Sequence, residues 1–211
     1  MSMFKKLLLG ATFALMSVMA TAQEPQFRAG EHYIELPFAV ATRNPEKVEV
    51  VAVFGYSCPH CANLEPVLQS WAAQQGDDVD FQHLPVVFSR NWEPLARAYY
   101  VADLSGKVSE THLPMFDAVH VEKRQFRNPN DFAAFYQNYG IDPNEFKKLY
   151  ESFAVDMRLK QGQARVRGYE ITGVPAMVVN GKYRITGQTA GSNQQMLNVV
   201  NYLIEKEKNA Q

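Results

Sequence analysis

"FGYSCPHCANLEP", residues 54–66, contains both cysteines of the 211-residue chain, Cys58 and Cys61, separated by a proline and a histidine. Joined, two cysteines three apart close a very small ring. Loop closure then contributes near the bottom of the roughly 0–5 kcal/mol that disulfides supply, so bracing the fold is a poor reason for the pair. Helical geometry places residues i and i+3 on one face, within reach of a bond. The preceding stretch, "KVEVVAVFGY" (47–56), is valine-rich and nearly all apolar. It reads as a strand buried on both faces, as in the middle of a layered α/β sheet. A helix is expected next. Pro59 suits its first turn, Leu64, Val67, Leu68 and Trp71 keep helical spacing, and Gly76 is a stop signal. Pro66 falls inside and is expected to kink it. The cysteines thus sit where a strand hands over to a helix.

That junction has a chemical consequence. The Cys58 sulfur faces unsatisfied backbone N–H groups and the positive end of the helix dipole. A thiolate is stabilised there, so the thiol pKa falls. His60 can add an N–H donor or a positive charge. Cys61, one turn deeper and less exposed, suits the resolving thiol. A depressed Cys58 pKa favours the dithiol over the disulfide, and such a disulfide is readily given away. The pair reads as a reagent, a redox-active Cys58–Cys61 disulfide. A closed zinc site needs four ligands. There is no second cysteine pair, His112 and His120 are eight apart, and His32, His60 and His83 are scattered, so no metal and no separate cofactor is expected.

Outward from the junction, "EHYIELP" (31–37) reads as a first short strand and "DVDFQHLPVVF" (78–88) as another. From about 89 to about 158 the apolar period becomes helical, with Asn128 or Asn130 capping one helix and Asp142-Pro143-Asn144-Glu145 opening another as a capping box. The aromatics of this block are read as core. "AMVVNGKYRIT" (176–186) is a hairpin around Asn180-Gly181. Ser192 and Gln195 cap the last helix. In "TGVPAMVV" (172–179), Val174-Pro175 stands at the mouth of an apolar strand, where a cis proline would leave the Val174 backbone free to pair with an extended peptide.

Residues 1–22 carry Lys5 and Lys6, an apolar run and a small-residue "ATA" ending, the pattern of a cleavable signal peptide. Export implies an oxidising compartment. Removal of the leader takes away two lysines and leaves 19 basic against 22 acidic side chains, a net charge of −3, which argues against nucleic acid as a partner.

Together these residues resemble the DsbA family of periplasmic thiol–disulfide oxidoreductases. Cys58-Pro59-His60-Cys61 matches the family's usual active-site sequence, and Thr172-Gly173-Val174-Pro175 its second signature. The resemblance implies an α/β thioredoxin fold with a central mixed sheet, in which a helical domain (89–158) interrupts a thioredoxin-like part (23–88 and 159–211). It implies Cys58 as nucleophile, Cys61 as resolving thiol, His60 beside them, and Pro59, Val174 and Pro175 in contact with substrate. It also implies a periplasmic monomer acting on newly exported or unfolded cysteine-containing proteins and reoxidised by a DsbB-like, quinone-linked membrane partner. Many members carry a buried glutamate six residues before the first cysteine, where this chain has Ala52. Glu49 is expected to face the other way, and Glu65 to serve at most as a surface substitute. Competing readings are an isomerase or reductase with the same chemistry, and a peptide-binding chaperone in which the cysteines are idle.

Overall fold

In this computed structural model, which describes residues 26–210, the valine-rich stretch is β2 (Val48–Phe54), buried along its whole length. It lies between β3 (Val79–Pro85), its parallel neighbour, and β4 (Ala176–Val179), which is antiparallel. β5 (Tyr183–Thr186) pairs with β4, and β1 (Ile34–Glu35) completes the mixed sheet in the order β1-β5-β4-β2-β3. Asn180 and Gly181 both take positive φ, 50° and 63°, which is what a two-residue hairpin of this hand requires. The expected leader lies outside the described residues. Among those described, no helix is long and apolar enough to cross a membrane.

Strand alternation divides β2 between two cores. Val48, Val50 and Ala52 face α1 (Pro59–Ala72) and α8 (Asn193–Lys208), packing with Leu64, Leu68 and Leu203. Val51 and Val53 face the opposite layer, with Val166, Tyr169 and Ile171. Between β3 and β4 the chain builds α2 (Glu93–Leu104), α3 (Val108–His120), α4 (Pro129–Tyr136), α5 (Pro143–Tyr150) and α6 (Phe153–Gly168). Their core is aromatic, with Phe116, Phe132, Tyr136 and Phe146 all buried, as the helical spacing foretold. Asn128 and Asp131 cap α4 reciprocally, Asp142 accepts from the Asn144 and Glu145 amides, and Ser192 accepts from the Gln195 amide.

Three expectations are revised. The first strand keeps only two residues. Val67, placed on the buried stripe of α1, is 39% exposed. The stripe instead runs through Cys61, Leu64, Glu65 and Leu68. The seam expected after residue 158 falls inside α6, because that helix serves two cores, with Val155 in the helical one and Val166 beneath the sheet.

Candidate active site

α1 begins one residue after Cys58, which takes extended backbone at the N-cap (φ −90°, ψ 115°) with Pro59 following. Extended geometry at this position points the first N–H groups of the helix at the residue before them. Gly55, at the end of β2, permits this turn to be covered. A Cβ there would fall 2.1 Å from the Trp92 ring, so only glycine lets Trp92 close over the strand end. Both cysteines are thiols in this structure. Cys58 is not the exposed sulfur that the sequence suggested: it keeps 7% of its surface and Cys61 3%. Pro59 and His60 are exposed beside them.

The second signature comes to the same place. The Val174–Pro175 bond is cis, and the Val174 carbonyl oxygen lies 3.5 Å from Cys58 Sγ. A groove of about 340 Å³, lined by His60, Thr172, Gly173, Val174 and Pro175 among others, opens alongside. All six residues singled out from the sequence therefore belong to one surface, assembled from the start of α1 and the loop before β4.

The two thiols are electrostatically unequal. The Cys58 pKa is lowered to about 6, first because the Cys61 thiol donates to its thiolate, then through the backbone N–H groups of Cys61 and His60 and the nearby imidazole, against the opposing effect of burial. Cys61 is held well above the ordinary thiol range, by that same hydrogen bond to Cys58, by burial, and by the negative charge of Glu65. The helix terminus and His60 were legible beforehand, whereas the Cys61 donor was not.

Glu65 is no surface residue. It is 2% exposed and shares a small cavity with Cys61, Pro175 and Met177. Its Oε1 is 3.1 Å from His83 Nε2, and its Oε2 is 3.4 Å from His112 Nε2. Burial opposes ionisation, but the His112 and His83 contacts outweigh it and bring the carboxyl down to about 2. Burial, with help from the His83 charge, lowers His112 to about 4 and keeps it neutral. Tyr56 Oη shares a 2.7 Å hydrogen bond with His112 Nδ1. A sequence signal for Glu65 existed. It is four residues after Cys61 and three before Leu68, on the apolar stripe rather than off it. Glu49, as expected, lies on the other face of β2, where Arg165 Nη2 donates to it at 2.5 Å.

A low-pKa thiol at a helix N-terminus, a second thiol one turn deeper and a cis-proline loop beside both define a dithiol oxidoreductase of the thioredoxin fold. Comparison with known proteins narrows the class. Residues 49–199 match the DSBA-like thioredoxin domain. The thiol:disulfide interchange protein DsbA of Azotobacter vinelandii is 36% identical, covering 98% of this chain and all of that protein. Among solved structures, Pseudomonas aeruginosa DsbA superposes with a TM-score of 0.83 at 36% identity, over 87% of this chain and 96% of that one. The oxidoreductase DsbA of Xylella fastidiosa gives 0.81 at 36% identity, over 86% and 98%. The chain belongs to the DsbA family, and it is a protein disulfide oxidoreductase.

Proposed function

We propose that the protein oxidises newly exported, unfolded proteins by donating the Cys58–Cys61 disulfide, acting as a monomer in the periplasm. A substrate thiolate attacks Cys58 Sγ, the Cys58–Cys61 bond breaks, and Cys61 leaves and takes up a proton. A second substrate thiolate then attacks the substrate sulfur of the mixed disulfide, and Cys58 departs as a thiolate. Two electrons pass to the enzyme, and the substrate gains one disulfide. Reoxidation by a DsbB-like, quinone-linked membrane partner restores the starting form. No further cofactor is required.

The observation that carries this reading is the inequality of the thiols. A Cys58 pKa near 6 makes that sulfur the better leaving group in the second step, whereas burial and the negative charge of Glu65, two of the causes that raise Cys61, favour its reprotonation in the first. The groove lined by Val174, Pro175 and His60 offers an extended peptide a backbone edge, with the exposed Pro59 next to His60. The test is substitution of each cysteine in turn. Cys58→Ser is expected to abolish oxidation of a dithiol peptide, and Cys61→Ser to accumulate mixed disulfides with it. Accumulation at Cys58→Ser instead would reverse the assignment.

A further inference from the structure

Behind the active site, the fold gathers three residues that the sequence scatters. Glu65 comes from α1, His83 from β3 and His112 from α3. One ligand atom of each lies within 4.8 Å of the others. His112 is 1% and Glu65 2% exposed, and the His83 side chain is 11% exposed. We infer that Glu65, His83 and His112 form a divalent-metal site of two imidazoles and one carboxylate, with zinc the best match.

The chemistry of the donor set carries this. Zinc bonds to nitrogen and oxygen of about 2.0–2.2 Å in a tetrahedron set neighbouring ligand atoms roughly 3.3 Å apart. The carboxylate-to-imidazole separations, 3.1 Å from Oε1 to His83 Nε2 and 3.4 Å from Oε2 to His112 Nε2, are of that order, one from each carboxylate oxygen. His112 Nε2 is a buried nitrogen with no hydrogen-bond partner among the described residues, and it lies 3.4 Å from Glu65 Oε2. Its other nitrogen is held by Tyr56 Oη at 2.7 Å. That is the outer contact a metal-bound histidine uses to fix its tautomer and ring orientation. In the metal-bound form the imidazole proton is on Nδ1 and donated to Tyr56 Oη, and the cation takes the Nε2 lone pair together with the Glu65 carboxylate. His83 is steadied from behind, where Tyr99 Oη donates to its carbonyl at 3.1 Å.

A cavity of about 280 Å³ is lined by His83 together with Leu84, Tyr99 and Tyr100. The arginines that border it, Arg43, Arg158 and Arg165, are paired with Asp80, Asp103 and Glu49. Three protein ligands leave one coordination position for water, as in open rather than closed zinc sites.

The test uses the full mature protein, untagged and in its disulfide form, so that Cys58 and Cys61 cannot ligate. Zinc titrated into it by calorimetry is expected to bind once per chain. His112→Gln or His83→Gln is expected to weaken binding by about tenfold or more, Tyr56→Phe by about 10–100-fold, and His32→Gln not at all. Cobalt in place of zinc is expected to give the strong visible absorption of a four-coordinate site, and zinc to raise the melting temperature of the wild type, reversibly on chelation. The cobalt and melting measurements need no variant, so a misfolded His112→Gln leaves the inference exposed to them. Absence of saturable binding, affinity unchanged in both histidine variants, or a weak octahedral cobalt spectrum with no rise in melting temperature overturns it.

Discussion

Glu49 and Glu65 are equally buried, at 0% and 2% exposure, and the fold answers them in opposite ways. Glu49 meets a permanent cation. Arg165 pairs with it, Gln82 Nε2 donates at 2.7 Å and the Arg43 amide at 3.0 Å. Glu65 meets two imidazoles and, among the described residues, no lysine or arginine pairs with it. Taking a carboxylate out of water costs several kcal/mol unless a partner compensates. A guanidinium compensates at every pH the protein experiences, whereas an imidazole can lose its charge or exchange a proton for a metal. The first arrangement ties β2 to α6. The second stands one helical turn behind Cys61 and can change state. The difference separates a joint in the scaffold from a tunable charge beside the reacting thiols.

Removing the fixed partner should have the largest effect. Arg165→Met leaves Glu49 buried without a cation and is expected to cost about 3–5 kcal/mol in urea unfolding, with the Cys58 titration unchanged in the protein that remains folded. A shifted thiol titration would erase the distinction between the two acids. Glu65→Gln keeps the shape and loses the charge. It is expected to cost less, about 1–3 kcal/mol, while lowering the Cys61 pKa, since Glu65 is one of the groups that raise it. Alkylation of Cys61 against pH in a Cys58→Ser background reads this directly.

The pH dependence of the reduced form sharpens the contrast further. The folded Cys58 pKa, about 6, is below its ordinary value of 9.0. Between those values the unfolded chain binds the proton that the folded one has released, so the contribution is full above pH 9 and is lost as pH falls through 6. Urea midpoints of the reduced protein should therefore fall across that window, while those of the disulfide form, which has no thiolate, should not change on this account. The smallest effect is assigned to His60. His60→Leu is expected to raise the Cys58 midpoint by less than about one unit, read by thiolate absorbance, because the exposed imidazole is the last of the groups that lower it.

Much of this was legible from the chain alone. A valine-rich, nearly all apolar stretch has few options but an inner strand, Asn180-Gly181 has few but a tight hairpin, and Cys58, His60, Cys61, Val174 and Pro175 were found by motif and placed together by the fold. The buried acids were harder to read. Periodicity identifies the face of α1 on which Glu65 lies, but the residues waiting there are supplied by β3 and by a helix of the inserted block. His83 and His112 looked scattered because their proximity is a property of packing and not of spacing. Position 158 falls inside α6 for a related reason, since nothing in the period of a helix marks where its neighbours change. Glu49 was read correctly because strand alternation needs only the strand itself.

The position of the helical insertion has a consequence for the growing chain. Cys58 and Val174, which meet at the site, are 116 positions apart, and β2 must wait for β4, with Val50 paired to Val179. At synthesis rates of about 5–20 residues per second, the cysteines precede the loop that completes their surface by an interval on the order of ten seconds. During that time α1 can form, yet no groove lies beside it, and the nascent protein holds two thiols without the surface that would select what they react with. A chain interrupted anywhere before residue 172 stays in that state. The order of the elements makes the finished site a late event, available only to molecules whose inserted helices have already been made.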